Sequence, residues 1–163
     1  MKNIKNVLIK FLVIGTSVLV VWCINNYKSA EKSIVSLGDT GITVELPSEY
    51  KFKEKTSKIN DYFGQAFSGE WSIIVNHEEK DDFAGLDEYA QASAKANNAG
   101  KAKLASDGNY YFEYKNGEYH FYTAVRQNNK YYYRIAFYCF EEDWLKYKDN
   151  FEKWATTIKL EKK

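Results

Sequence analysis

Residues 110–140 read YYFEYKNGEYHFYTAVRQNNKYYYRIAFYCF, and their alternation decides the fold. Three runs rich in Tyr, Phe, Val and Ile are separated by Asn116-Gly117 and by Gln127-Asn128-Asn129, which predicts an antiparallel three-stranded meander. Asn-Gly is the strongest short hairpin signal, because both central residues of such a turn adopt positive φ. A two-residue turn there sets Lys115 opposite Glu118, Tyr114 opposite Tyr119, Glu113 opposite His120 and Phe112 opposite Phe121. Opposite charges and aromatic pairs then fall in register.

The second turn is harder, since a slip of one residue moves every side chain to the other face. A two-residue Asn128-Asn129 loop puts Arg134 on the face of Phe112 and Phe121. A three-residue loop with Asn129 left-handed instead aligns Phe121 with Ile135, Tyr119 with Phe137 and Val125 with Tyr131. The second register is the expected one because it keeps one face apolar. The other face then carries Tyr111, Glu113, His120, Tyr122, Tyr132, Arg134 and Tyr138.

Outward from the meander, Ile42, Val44 and Leu46 alternate with polar residues and end at Pro47, as in a strand closed by a turn. Tyr50–Glu54, Tyr62–Phe67 and Trp71–Val75 are further strands, the last two joined by a Ser68-Gly69-Glu70 turn. From Leu86 the apolar period changes to three and four, predicting a helix started by Asp81 and Asp82 and ended by a left-handed Gly100. A second helix is expected to begin near Glu141, with Trp144, Tyr147, Phe151, Trp154, Ala155 and Ile158 as its stripe.

At the other end of the chain, Val7 to Ile24 reads VLIKFLVIGTSVLVVWCI. As a helix it spans about 27 Å, against the ~30 Å of a bilayer's hydrocarbon core. Lys2, Lys5 and Lys10 flank it on one side, so the positive-inside bias orients the amino terminus to the cytoplasm. Trp22 beside Asn25 and Tyr27 suits the outer interface, and Val7, Trp22, Cys23 and Ile24 mark the anchor. Cys23 sits where a lipoprotein cysteine would, but bulky Trp22 precedes it. The expectation is an uncleaved anchor, with a lipoprotein or a secreted form as alternatives. The expected division is residues 1–24 as cytoplasmic tip and membrane anchor or signal segment, 25–36 as a linker, and 37–163 as an extracytoplasmic α+β domain.

Composition agrees with that division. The chain has 163 residues, 17% of them aromatic, and 23 Lys+Arg against 22 Asp+Glu. Lys2, Lys5, Lys10 and Lys28 precede the first acid, so a basic terminus leads a mildly acidic domain. That balance excludes a polybasic nucleic-acid binder, and two cysteines exclude a disulfide scaffold.

The pattern of elements resembles the PsbP-like superfamily, including the DcrB-like bacterial envelope proteins. The resemblance rests on Gly41-Ile42-Thr43-Val44-Glu45-Leu46-Pro47 with Tyr50, a mid-chain helix, Gly108 before the meander, and a terminal helix ending Trp154-Ala155-Thr156-Thr157-Ile158. It implies an α+β fold, a central antiparallel sheet flanked by helices, here preceded by one amino-terminal transmembrane helix. It also implies a non-enzymatic accessory or assembly role. Some bacterial relatives are lipoproteins, a pattern from which Trp22 departs.

No Walker A, Rossmann fingerprint, nucleophile elbow or zinc spacing occurs, so no cofactor, metal or catalytic residue is expected. His77-Glu78-Glu79 with Asp81 and Asp82 is expected to be a solvated loop, and Cys139 a buried apolar side chain. The candidate binding face is Tyr111, Glu113, His120, Tyr122, Tyr132 and Arg134, with Arg134 as anion anchor between tyrosine walls; the competing structural reading, which carries more weight, makes Glu113–His120 a cross-strand pair and stacks Arg134 on Tyr122. The expected partners are the membrane, through the first segment, and an envelope protein. The alternatives are a small-ligand carrier or a small acid-base enzyme using Glu113 and His120.

Overall fold

The computed structural model describes residues 31–161 apart from 56 and 58. The expected membrane segment, with Val7, Trp22, Cys23 and Ile24, lies outside the described residues. Among the described residues no helix is long and apolar enough to cross a membrane. The elements run β1 (Lys32–Ser36), β2 (Ile42–Pro47), β3 (Phe52–Glu54), β4 (Tyr62–Ala66), β5 (Trp71–Glu79), α1 (Leu86–Ala96), β6 (Lys103–Leu104), β7 (Tyr110–Asn116), β8 (Tyr119–Gln127), β9 (Tyr131–Phe140), α2 (Trp144–Ala155) and β10 (Lys159–Leu160). The domain thus starts at Lys32, and the last five residues of the expected linker are strand β1, whose Val35 packs against the core.

Seven strands form one sheet in the order β3-β4-β5-β9-β8-β7-β6, and β1-β2-β10 form a second. Every pairing is antiparallel. The β5–β9 ladder joins the β3–β4–β5 hairpins to the meander, from Trp71 opposite Cys139 to Glu79 opposite Tyr131. The fold is therefore α+β with a central antiparallel sheet, and helices cover both of its faces.

On one face Tyr62, Trp71, Ile73, Val75, Tyr122, Ala124, Ile135, Phe137 and Cys139 are buried with Trp144, Tyr147, Phe151 and Trp154 of α2. Those four recur at three and four residues, so one stripe of the helix meets the sheet. Leu37, Ile42, Val44 and Leu46 from the small sheet close the same cluster. Trp71 is its centre, with ring centroids of Phe52 at 4.9 Å, Tyr50 at 5.3 Å, Phe151 at 5.8 Å and Trp154 at 4.6 Å. On the opposite face α1 lays Tyr89, Ala90 and Ala94 on Phe112, Val125 and Tyr132. Tyr89 and Tyr132 stack at 4.8 Å, and the alanines let the helix approach closely.

Both meander turns differ from expectation. The first reverses over Gly117-Glu118, not Asn116-Gly117, with Asn116 opposite Tyr119. Gly117 holds φ +59° and Glu118 a negative φ, the pattern of a type II′ turn. Partners shift by two, so Glu113 faces Tyr122 and His120 faces Lys115, but each side chain keeps its face. The second turn reverses over Asn129-Lys130, with Asn128 N–H donating to the Tyr131 carbonyl at 3.1 Å. Asn128 Oδ1 accepts the N–H groups of Lys130 and Tyr131 at 2.9 and 2.8 Å, which pins the tighter loop. Val125 now faces Arg134, and β9 is inverted relative to the expected register. An apolar-face criterion fails here because both faces are covered, and each needs apolar residues.

Helix ends shift for local reasons. Asp81 and Asp82 lie in a short 3-10 turn, and α1 starts after Gly85 with Asp87 and Glu88 in its first turn. Asn98, at φ +54°, is the left-handed residue that ends it, rather than Gly100. The Ala99 N–H donates to the Ala94 carbonyl and that of Asn98 to Lys95, the double closure of a Schellman motif. Glu141–Asp143 likewise form a 3-10 turn before α2.

Polar contacts fasten α2 to the large sheet. Buried Arg126 donates to the Ala155 carbonyl at 2.8 Å, placing a cation at the helix carboxyl end, and pairs with Asp107 at 3.5 Å. Glu70, in the β4–β5 turn, accepts from Lys146 and, at 2.6 Å, from the Tyr147 hydroxyl. Those hydrogen bonds, Lys146 first, hold its carboxyl down at about 2.

Two measurements check this packing. A Cβ on Gly64 would fall 2.5 Å from the Tyr62 hydroxyl, so Gly64→Ala lowers unfolding free energy by about 1–3 kcal/mol, and adding Tyr62→Phe restores part of it. Gly85→Ala, where a Cβ meets nothing within 4 Å, stays within about 0.5 kcal/mol of wild type. The Glu70 contribution is complete above its ordinary value of 4.5 and is lost as pH falls through about 2. Urea unfolding of Glu70→Gln is therefore flatter with pH over that window.

Candidate functional site

One end of the domain holds an open cleft of about 800 Å³. Its parts come from the β1–β2 turn (Gly38–Gly41), the entry to β4 (Asn60–Phe63), His77 of β5, the β8–β9 turn and start of β9 (Asn128, Lys130, Tyr131, Tyr133), and Leu160 and Glu161. Strand order brings these together, since β4, β5 and β9 are neighbours. Gly38 and Gly41 hold φ +56° and +72°, and a Cβ on Gly38 would lie 3.0 Å from the Tyr62 ring. The turn therefore packs flat on Tyr62, whose phenol is pushed up to about 12 by burial and by the charge of Glu54.

The polar centre is an Asp61–His77 pair. Asp61 precedes β4, and its Oδ2 accepts both the His77 backbone N–H at 2.7 Å and Nδ1 at 2.8 Å. The carboxylate selects the imidazole tautomer, leaving Nε2 as the second functional nitrogen. His77 is directly opposite Tyr133 in the ladder, with centroids 6.0 Å apart, and Tyr131 meets its ring edge-on at 4.5 Å. Asn128 Nδ2 donates to the Tyr133 hydroxyl at 3.1 Å. Burial raises the Tyr133 phenol, and this hydrogen bond offsets part of the rise. Lys130 lies over Tyr131 at 4.8 Å and Lys55 over Phe63 at 5.4 Å. The arrangement can grip a ligand between aromatic walls with a fixed donor and a fixed acceptor.

The six residues expected on one face are divided by the inverted register. Tyr111, Glu113, His120 and Tyr122 lie on the α2 face, and Tyr132 and Arg134 on the α1 face. Tyr111 stacks on Tyr122 at 5.7 Å, and Glu113 pairs with Lys148 of α2 at 3.6 Å. His120 stacks on Trp144 at 3.6 Å, and its Nδ1 meets Glu141 at 2.9 Å. Across the sheet, Tyr132 stacks under Tyr89 and Arg134 donates to Glu78 at 2.8 Å. Arg134 therefore does not stack on Tyr122, and the expected common face does not exist. Cys139 is buried, its thiol pushed up to about 11 by burial and by Asp143 and Glu141.

His77 to Glu79, expected in a solvated loop, continue β5. No sequence signal links Asp61 to His77, 16 residues later; only the β4–β5 register joins them. Asn128-Asn129 did mark the turn that forms one wall. Among the described residues no group of three or more His, Cys, Asp or Glu stands together as a metal site.

No family model matches the chain, and no curated protein matches it in sequence. Among solved structures it is similar to cyanobacterial PsbP (CyanoP) from Synechocystis sp. PCC 6803, at 16% identity over 83% of this chain and 95% of that one, with a TM-score of 0.58. It is also similar to the Saccharomyces cerevisiae Ran-binding protein Mog1p, at 12% identity over 81% and 96%, with a TM-score of 0.52. These likenesses show a PsbP-like fold.

Burial under Trp144 lowers the His120 value from its ordinary 6.5, against the pull of Glu141. A neutral ring in the folded state contributes fully above that ordinary value and less as pH falls below it. Chemical unfolding at pH 7.5 and 5.5 should show a loss of stability in wild type and a smaller one in His120→Phe, which keeps a ring on Trp144.

Proposed function

We propose that this chain is a membrane-tethered, extracytoplasmic, non-enzymatic binding domain of the cell envelope, related to the DcrB-like proteins, that engages a protein partner through the Asp61–His77 cleft. The observation that carries the proposal is the cleft itself. It is open, walled by Tyr62, Phe63, Tyr131 and Tyr133, and its polar groups are held by neighbours, features of a preorganised binding site. Tethering is supported by the apolar run from Val7 to Ile24 with its lysine flank. A binding role is supported by the fold shared with a Ran-binding protein.

The alternative acid-base enzyme would need Glu113 and His120 on an open face, whereas they are paired with Lys148 and stacked on Trp144. A small-ligand carrier is the second reading. It draws on the volume of the cleft, which falls in the range of drug-sized pockets.

Topology is tested with a protease added to intact cells carrying the full chain. The domain should be digested while a cytoplasmic marker survives. Survival of the domain in cells that are then digested after lysis places it inside and overturns the tethering proposal.

A further inference from the structure

Resting on the binding role of the cleft, we propose that it takes an uncharged extended peptide segment, the backbone of one residue bridging His77 and Tyr133. The two side chains are directly opposite in the β5–β9 ladder and present complementary hydrogen-bonding groups. With an Nδ1 proton donated to Asp61, the tautomer this contact selects offers Nε2 as an acceptor. With its oxygen accepting from Asn128, the Tyr133 hydroxyl has its proton to donate. The cleft thus offers one acceptor and one donor, each oriented by a second residue.

A residue in an extended strand turns its N–H and its C=O to the same side, as in the hydrogen-bonded pair of an antiparallel ladder. Its N–H would donate to His77 Nε2 and its C=O accept from the Tyr133 hydroxyl. Neither a carboxylate nor a quaternary ammonium supplies both roles. Lining charge disfavours an anion, since Asp39, Glu54, Asp61 and Glu161 outnumber Lys55 and Lys130. Tyr131, edge-on to His77, and the Tyr62 ring flank the position where the peptide's side chains would lie. Recognition of this kind reads main chain first and side chains second, as strand-adding partners are read.

The test is NMR titration of the full chain in detergent micelles at pH 7.5, with four separate probes: N-acetylalanine N′-methylamide, acetate, tetramethylammonium and inorganic phosphate. The capped alanine is expected to shift the Asn128, Tyr131 and Tyr133 resonances saturably, while the three ions do not. Tyr133→Phe and His77→Phe should each weaken it roughly fivefold, the effect of one lost hydrogen bond, with the rest of the spectrum retained. Saturation by an ion and not by the capped alanine overturns the peptide inference but leaves the cleft a binding site. Equal binding to wild type and both variants overturns the bridging geometry. Failure of every probe to move these resonances overturns both the inference and the binding role of the cleft.

Discussion

Trp71 is the point on which the domain is assembled. It begins β5, the strand that joins the amino-terminal hairpins to the meander, and its indole is enclosed by Tyr50 and Phe52 on one side and by Tyr147, Phe151 and Trp154 on the other. These rings come from the segment entering β3 and from α2, so one side chain of β5 ties together parts of the chain distant in sequence. Aromatic side chains of this size dominate a core by area alone, with edge-to-face pairs adding to it. The indole N–H has no acceptor, a cost that the surrounding burial offsets.

The same enclosure decides what the sheet can expose. α2 and the small sheet cover one face, and α1 covers part of the other, so strands β8 and β9 are largely buried on both sides. Residues such as Glu113, His120, Tyr122 and Arg134, which look like a polar surface in sequence, are buried or half-buried fasteners. Each has a specific partner: Lys148, Trp144 with Glu141, Tyr111, and Glu78. The cleft therefore lies not on a face but at the end of the sheet, where turns meet. The cleft is there because the β1–β2 turn and the β8–β9 turn stand beside the β4–β5 ladder.

Much of this fold was legible in the amino-acid pattern. Alternation and turn residues marked β2, β3, β4, β5 and the three meander strands, and the three-four period located both helices to within a few residues. The resemblance to PsbP-like proteins anticipated the antiparallel sheet with flanking helices. Strand β1, both meander turns, the ends of α1 and the extension of β5 through His77 were missed. Strand β1 was hidden in a polar stretch because Val35 is its one apolar residue that packs on the core. The end of α1 fell on Asn98 because a Schellman closure needs a left-handed residue, which asparagine tolerates. The second meander turn was tightened by the Asn128 side chain, a local hydrogen bond invisible to a count of apolar residues.

What the sequence by itself determined is the set of elements and the basic, apolar leader before an acidic domain, since periodicity, turn residues and charge are local properties. Tertiary structure alone decided the register of β9 and the Asp61–His77 pair. Register between two buried faces depends on what packs on each face. A side-chain pair 16 residues apart exists only once two strands are hydrogen-bonded at a particular offset.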